Sequence, residues 1–178
     1  MAGPLLHAAI GMAAGRAYAE TESRPPSLAL AMAAFAALSI LPDADLTAFL
    51  LGIPYRAPFG HRGAIHSLAV AAAVGVLGAL LARLARRKPI KAGLFAAGIV
   101  ASHDLLDTLT TGGLGIALLW PFTNRRFFAP WHLIPVSPIG FGFFSYRGLH
   151  VVAAEFLISL PFLLYAFWKR KPAANERL

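Results

Sequence analysis

Five apolar stretches alternate with short polar segments along the chain, at residues 4–18, 27–42, 65–84, 90–109 and 149–168. The last three hold about 20 residues each, which is enough for a helix to cross a hydrocarbon core of about 30 Å. The first two are shorter and rich in alanine and glycine, so we expect them to tilt, to thin the bilayer locally, or to pack through close contacts between small residues. Because lipid offers the backbone no hydrogen-bond partners, every stretch is predicted to be helical.

The composition leads to the same fold class. Of the 178 residues, 58% are hydrophobic and 13% charged, and the mean hydropathy is +0.65. A soluble domain is typically about 45 to 50% apolar and about 25% charged. We therefore predict an all-α integral membrane protein, a bundle of about five transmembrane helices with a long aromatic-rich loop between helices 4 and 5. Residues 1–170 form its single transmembrane helical domain and residues 171–178 a basic cytoplasmic tail.

The basic residues mark one side of this predicted bundle. Nine of the sixteen lie in two clusters, at 83–91 and 169–177, and each cluster follows an apolar stretch. Since lysine and arginine resist translocation, both clusters are expected in the cytoplasm, which places the N-terminus outside and the C-terminus inside. This placement accounts for the net charge of +8. We therefore expect the membrane as a partner, but no nucleic acid and no obligate protein partner.

A long external segment, residues 112–148, separates helices 4 and 5. It holds nine of the twenty aromatic residues and four prolines, and aromatic side chains favour the headgroup level of a bilayer. This composition predicts a lid over the outer end of the bundle, with an ordinary interfacial loop as the alternative. The run GGLG (112–115) is interpreted as a turn and not as a phosphate-binding loop, because no strand precedes it.

Histidines and acids gather on the outer side of this topology. All six histidines and five of the eight acidic residues lie there, most of them in LPDAD (41–45), GHRGAIHS (60–67) and SHDLLDTLTTGG (102–113). His103 and Asp107 share one helix face, and at 1.5 Å per residue His103 lies roughly 9 Å below the outer end of helix 4. A polar group at that depth must be paired, bind a metal ion or face water.

Each of these segments has a purely structural alternative. HDLLD is equally typical of a buried hydrogen-bonded pair, PDAD of a turn or helix cap, and HRGAIHS of a loop that ends in an N-cap at Ser67. His7 by itself is typical of a polar residue at a helix end. However, four segments that place histidine or aspartate at one membrane depth favour a metal site. The predicted ligands are His7, Asp45, His61, His66, His103 and Asp107, and Asp43 or His61 is either a further ligand or a residue that supports the ligands.

The predicted cofactor is one or two divalent ions. Zinc is the first candidate because it takes mixed imidazole and carboxylate ligands, and manganese or iron is the alternative. Two ions together could hold the attacking and leaving oxygens of a phosphoryl transfer.

The order of these motifs resembles that of a known family. An N-terminal histidine, LPDAD, HRGAIHS and SHDLLDTLTTGG follow one another over about residues 5–125, as in the LexA-regulated, inner-membrane-bound metal-dependent hydrolases. The resemblance implies a multi-pass protein of the bacterial inner (plasma) membrane with metal-dependent hydrolase activity.

A more distant likeness is to zinc-dependent phospholipase C, whose ligands run His, Asp, His, then His-x-x-x-Asp, then a later His and Glu. The residues that follow this order here are His7, Asp45, His66, His103, Asp107, His150 and Glu155. The chain departs from that pattern because it has no amino-terminal tryptophan and because His150 and Glu155 are five residues apart. The likeness therefore implies similar chemistry and not a shared fold.

We expect a metal-activated water to hydrolyse a lipid phosphoester at the outer membrane face. A bound ion lowers the pKa of a water molecule toward about 7, and Asp43 or Asp104 could take the proton. Arg62 would contact a phosphate oxygen through both terminal nitrogens, or alternatively would flank a helix and face headgroups. A lipid substrate is favoured because the ligands on helix 4 lie below the membrane surface. Amide hydrolysis, as in membrane ceramidases, remains open.

A non-enzymatic function is the alternative. A metal- or proton-coupled transporter or a metal sensor would use the same side chains, since intramembrane histidine and aspartate also form relays. Transport needs polar residues that continue to the inner side, whereas helix 3 below Ser67 and helix 5 below Ser159 are apolar as far as the basic clusters. The sequence therefore favours a closed pocket and hydrolysis.

Overall fold

Helices make up the described part of the chain, apart from its turns and one long loop. The computed structural model describes residues 2–22, 25–138 and 140–169. The long helices are α1 (Pro4–Thr21), α2 (Leu28–Ile40), α4 (Leu68–Leu84), α5 (Pro89–Thr108) and α6 (Tyr146–Phe167), and α3 (Thr47–Leu50) is a single turn. Two 3₁₀ segments lie at Leu41–Leu46 and Gly140–Phe144. Within these described ranges no β-strand forms, so the predicted helical fold is confirmed.

Each of the five predicted apolar stretches forms a helix, and predicted helices 1 to 5 correspond to α1, α2, α4, α5 and α6. The start of each helix is set by local residues. The side-chain oxygens of Ser27, Ser67 and Ser145 accept hydrogen bonds from backbone N–H groups three residues ahead, at 3.3, 3.3 and 3.1 Å. Such a cap satisfies one of the free N–H groups in the first turn of a helix. α1 and α5 begin with Pro4 and Pro89 instead, and proline lacks the N–H that would be unsatisfied there. These local signals explain why the helix boundaries follow the apolar pattern closely.

The long helices pack side by side around an apolar core. α1 packs against α2 and α6, α4 packs against α5, and α2 joins the two sets through its contact with α5. Three aromatic rings, those of Tyr18, Phe35 and Phe95, have centroids 5.3 to 6.0 Å apart, which is typical of tilted and edge-on aromatic packing. Together with Ile99 and Val100, Tyr18 and Phe35 form a buried cluster in the middle of the bundle.

Glycine residues allow α1 and α2 to approach closely. A Cβ atom added at Gly11 would lie 2.5 Å from the carbonyl oxygen of Phe35, and one at Gly15 would lie 2.4 Å from that of Ala31. Neither position has room for a side chain. The G-x-x-x-G spacing is typical of close helix pairs in membranes, where packing rather than hydrophobic burial holds helices together.

Large apolar side chains cover the outward faces of the helices. On α4, Val76, Leu80 and Leu84 are 62%, 55% and 81% exposed. Among the described residues, the segments Leu28–Leu50 and Tyr146–Phe167 are long and apolar enough to cross a membrane, and α4 is apolar but shorter. A crossing by all five long helices therefore stays a prediction.

The basic cluster 83–91 and Arg16 lie at the end of the bundle opposite to that of His103 and Asp107. The cluster 83–91 surrounds the turn between α4 and α5. Arg16 is buried beside the end of α6, where its guanidinium donates to three carbonyl oxygens at 2.7 to 3.1 Å. These bonds satisfy carbonyl groups that the C-terminus of a helix leaves free. The predicted tail 171–178 lies outside the described residues.

The loop 112–148 folds back on the end of α5. Backbone hydrogen bonds join Thr111 and Leu109 to Ile134, at 2.9 and 3.1 Å. At the surface of the loop Trp131 is 69% exposed, which suits the preference of tryptophan for the headgroup level. The loop thus covers the end of α5 that carries the polar residues, and its role as a lid stays a prediction.

The close contact between α1 and α2 predicts opposite effects for one substitution at two glycines. Gly15→Ala is expected to lower stability by about 1–3 kcal/mol, because the new methyl group would press on the backbone of α2. Gly98→Ala is the matched control, since a Cβ atom at Gly98 meets nothing within 4 Å, and it is expected to be neutral or to stabilise by about 0.5–1 kcal/mol. Unfolding in detergent, followed by circular dichroism, measures both changes. Equal stability of the two variants would contradict this packing.

Candidate metal centre

Polar side chains from four parts of the chain meet at one end of the bundle. They come from α1, the first 3₁₀ segment, the loop 60–67 and α5: His7, Asp43, Asp45, His61, Arg62, His66, His103, Asp104 and Asp107. None of them is more than 6% exposed. A buried charge is very unfavourable unless it is paired or binds a cation. The structure thus brings together side chains that the sequence places at one depth.

Local sequence features direct these side chains inward. α2 ends at Ile40, and Pro42 lies in the first turn of the 3₁₀ segment that carries the first two aspartates. Proline cannot donate the hydrogen bond that would continue the α-helix, so the chain tightens there. On α5, His103 and Asp107 lie one turn apart on the buried face, as residues four apart on a helix must.

Four of the side chains form a group with the dimensions of a metal site. One ligand atom from each of Asp43, His66, His103 and Asp107 lies within 4.8 Å of the others. The Nε2 atoms of His66 and His103 are 3.2 Å apart, and they lie 3.8 and 3.6 Å from Asp43 Oδ1. Ligand atoms bound to zinc at about 2.0–2.2 Å in a tetrahedron are roughly 3.3–3.6 Å apart. A single ion therefore fits among the four atoms.

Both histidines of this group are oriented through their Nδ1 atoms. His103 Nδ1 lies 2.7 Å from the carbonyl oxygen of Ser39, and a carbonyl oxygen only accepts, so Nδ1 carries the hydrogen. His66 Nδ1 lies 2.9 Å from Asp45 Oδ2. Each ring thereby turns Nε2 toward the centre of the group, which is the arrangement typical of metal-binding histidines.

Asp45 supports the group from behind. Its Oδ1 atom lies 2.5 Å from His61 Nδ1, and its Oδ2 atom accepts the backbone N–H of Arg62 at 2.8 Å. The sequence predicts Asp45 as a ligand, His61 as a ligand or a residue that supports one, and Asp43 as a proton acceptor or a further ligand. The structure places Asp43 among the four ligand atoms and Asp45 and His61 outside them. A 3₁₀ segment has three residues per turn, so residues two apart point in different directions, and the D-x-D spacing alone does not show which one faces the site.

His7 lies beside the group. Its ring stacks on that of His103 with centroids 3.8 Å apart, and its Nε2 atom lies 3.5 Å from Asp107 Oδ1. Neither ring nitrogen has a hydrogen-bond partner within the described ranges. Because buried polar atoms are normally hydrogen-bonded, His7 is available as a further ligand on the Asp107 side of the group.

Several carboxylate oxygens in the cluster lack a hydrogen-bond donor. In the part of the chain that the structure describes, these are both oxygens of Asp43, both of Asp104 and Oδ2 of Asp107, the last of which forms an ion pair with Arg62 Nη2 at 3.2 Å but accepts no hydrogen bond. Leaving a buried acceptor without a donor is unfavourable. Burial alone would lower the pKa of His66, but the carboxylates of Asp43 and Asp45 raise it to about 9. The cluster therefore stabilises positive charge at its centre, and a divalent cation would supply that charge.

The sequence predicts that Arg62 contacts a phosphate oxygen of the substrate, but in the structure Arg62 contacts protein groups instead. Its side chain is fully buried, with Nη2 3.2 Å from Asp107 Oδ2 and 2.9 Å from Thr110 Oγ1. The direction of a long side chain in a loop is set by the fold and not by its neighbours in sequence. The guanidinium therefore belongs to the wall of the site.

The remaining histidines lie apart from the group. His132 and His150 are exposed, and His150 Nδ1 lies 3.0 Å from the carbonyl oxygen of Tyr146. Glu155, which joins His150 in the phospholipase C order, is buried and accepts the backbone N–H of Gly3. Of the two residues His150 and Glu155, only Glu155 therefore lies near the start of α1.

Main-chain groups complete the cluster. The backbone N–H of Ala2 donates to Asp107 Oδ1 at 2.6 Å, and the carbonyl oxygen of Ser39 orients His103. No sequence signal could have found them, because every residue carries such groups and only the folded backbone selects the ones that reach the site.

The geometry predicts that the purified protein contains about one or two divalent ions per chain. Asp43→Asn and His103→Ala are each expected to remove most of this metal, because each deletes one ligand atom of the four. His132→Ala is the control, since this exposed imidazole lies outside the group. Elemental analysis after gel filtration measures the content. Wild-type content in the first two variants would show that these residues do not hold the ion.

Comparisons with known proteins agree with a membrane location. A sequence model of the family described as "YdjM inner membrane protein" matches residues 1–173. The chain is 39% identical over 140 residues to a protein of Escherichia coli (strain K12) named "Inner membrane protein YbcI". The aligned region covers 75% of this chain and 81% of that protein. No solved structure matches the chain. These names support the predicted inner-membrane location, while the number of crossings and the orientation stay predictions. The chain therefore belongs to the YdjM family of inner membrane proteins.

Proposed function

We propose that the chain is a membrane-embedded, metal-dependent hydrolase that cleaves a lipid phosphoester at the outer face of the inner membrane. The observation that carries the proposal is the buried group of Asp43, His66, His103 and Asp107, with ligand atoms within 4.8 Å of one another. Two imidazoles and two carboxylates in this arrangement suit zinc, with manganese or iron as the alternative metals.

The residues of the cluster divide into those that hold the ion and those that handle the proton. When bound, a divalent ion would lower the pKa of a water molecule and offset negative charge on phosphoryl oxygens. Asp43 is occupied as a ligand in this scheme. Asp104 is buried, has no hydrogen-bond partner among the described residues, and lies within electrostatic range of His66 and His103. We therefore assign to Asp104 the role of accepting the proton of the water molecule.

The proposed reaction consumes one water molecule. The water oxygen forms a bond to phosphorus, and the bond between phosphorus and the ester oxygen breaks. Asp104 accepts the proton of the water and returns it to the departing ester oxygen. The products are a phosphate-bearing fragment and an alcohol, and no oxidant or other reactant is needed.

A lipid substrate suits the surroundings of the site. A cavity of about 330 Å³ opens between the start of α1, the first 3₁₀ segment and the end of the loop 112–148. One of its lining residues, Leu46, follows Asp45 in sequence. Its lining is mostly apolar and consists of Pro4, Leu46, Ser137, Pro138, Gly140, Phe143 and Phe144. An acyl chain could enter here from the bilayer and leave its headgroup at the polar cluster.

The apolar core argues against a transport path. Ile99 and Val100 precede His103 by one turn of α5 and pack with Tyr18 and Phe35. A transported ion or proton would need polar groups beyond the cluster, whereas the side chains of Phe35, Ile99 and Val100 are apolar. The arrangement favours a closed pocket, which suits hydrolysis.

The proposal predicts lipid turnover that depends on metal. A screen of phospholipids and polyprenyl phosphates in mixed micelles is expected to find a hydrolysed lipid, with activity lost in chelator and restored by zinc. Asp104→Asn is expected to lower kcat by about 10²–10⁴-fold, as the loss of a general base does, yet to keep its metal. His132→Ala should retain activity. If no lipid is hydrolysed in a metal-dependent way, the proposed activity is wrong.

The proposed orientation can be tested by cysteine labelling, because the natural chain has no cysteine. Phe122→Cys places a thiol on the long loop and Arg86→Cys places one in the basic turn between α4 and α5. A membrane-impermeant maleimide is expected to label the first variant in intact spheroplasts and the second only after permeabilisation. The reverse pattern would put the polar cluster at the cytoplasmic face.

A further inference from the structure

The guanidinium of Arg62 is enclosed by groups at the end of α5. Its Nη2 atom lies 3.2 Å from Asp107 Oδ2 and donates to Thr110 Oγ1 at 2.9 Å, and its Nη1 atom donates to the carbonyl oxygen of Gly112 at 2.8 Å. The side chain has no exposed surface. Its terminal nitrogens therefore face protein groups and not the space where a substrate would bind.

The main chain of Arg62 adopts a left-handed conformation. Its φ angle is +62°, a value that few residues other than glycine adopt and that is often found at functional sites. In this conformation the backbone N–H donates to Asp45 Oδ2 while the side chain reaches α5. One residue thereby connects Asp45, which orients His66, with Asp107, which belongs to the ligand group.

The run TTGG (110–113) makes room for this arginine. Gly113 has a φ angle of +96°, and a Cβ atom there would lie 2.5 Å from Arg62 Nη1. Thr110 Oγ1 accepts from the guanidinium and donates to the backbone oxygen of Asp107 at 2.8 Å. The motif HRG thus supplies the arginine, and the turn TTGG supplies the groups that contact its guanidinium.

We infer that Arg62 is a positioning residue of the metal centre, which holds Asp107 in the orientation that a divalent cation requires and ties the loop 60–67 to α5. The inference rests on the metal centre of the proposed function and adds a residue that touches neither ion nor substrate. A guanidinium pairs with the charge of a carboxylate and also fixes the direction in which the carboxylate points. Residues that support metal ligands in this way typically change metal affinity by about 10- to 100-fold.

The test uses Co²⁺ as the probe on the full chain in detergent. Affinity is measured by competition with a chromophoric chelator, and the visible absorption of bound Co²⁺ reports the ligand geometry. Gly113→Ala crowds both the guanidinium and Tyr55 Oη, at 2.5 and 2.9 Å from the added Cβ atom, without altering any ligand. Thr110→Val replaces the hydroxyl acceptor with a methyl group, and Arg62→Lys keeps the charge but loses the planar fork. Each is expected to weaken binding by about 10- to 100-fold and to change the spectrum.

Gly52→Ala is the matched control for the glycine variant. Gly52 also has a positive φ angle, +68°, but a Cβ atom there meets nothing within 4 Å. It also adds a Cβ atom at a positive φ angle but does not touch Arg62, so the affinity and spectrum of the wild type are expected.

Two outcomes would overturn the inference, and they are distinguishable. Wild-type affinity and spectrum in Gly113→Ala and Thr110→Val would remove the positioning role and leave the metal centre standing. Failure of the wild-type chain to bind Co²⁺ or Zn²⁺ would remove both. Circular dichroism identifies any variant that does not fold, and Thr110→Val, which deletes a single hydroxyl, decides the question if the others fail.

Discussion

The structure depends on how several histidines and aspartates are kept buried, away from water. Asp43, His66, His103 and Asp107 face one another across a space of atomic dimensions. Neighbouring carboxylates repel each other. Such a group is favourable only with positive charge at its centre. The ends of α1, α2 and α5 and the loop 60–67 are all arranged around this requirement.

The rest of the bundle makes that convergence possible. Gly11 and Gly15 bring α1 against α2 at backbone distance, so the helix ends can meet without bulky side chains between them. The aromatic cluster around Tyr18 and Phe35 closes the space below the polar end. At the opposite end, Arg16 caps the last carbonyl groups of α6. Apolar packing thus holds the helices in place, and the polar end carries the candidate metal centre.

The polar end is built in two layers. The inner layer consists of the four side chains whose ligand atoms face each other, and the outer layer orients them through Asp45, Arg62 and the carbonyl oxygen of Ser39. The outer contacts are made to one defined atom of each ligand, as expected where side chains must hold a fixed geometry. Membership of a family of inner membrane proteins agrees with the apolar outward faces of the helices.

The sequence by itself determined the helices, the membrane character and the pool of residues from which the site is drawn, because apolar periodicity, capping residues and residue type are local properties. The tertiary structure decided which members of that pool meet. Asp43 rather than Asp45 lies among the ligand atoms, Arg62 turns to Asp107, and His150 is exposed. The direction of a side chain in a 3₁₀ segment or a loop depends on backbone angles and on contacts with residues far away in the chain, and spacing along the sequence contains neither.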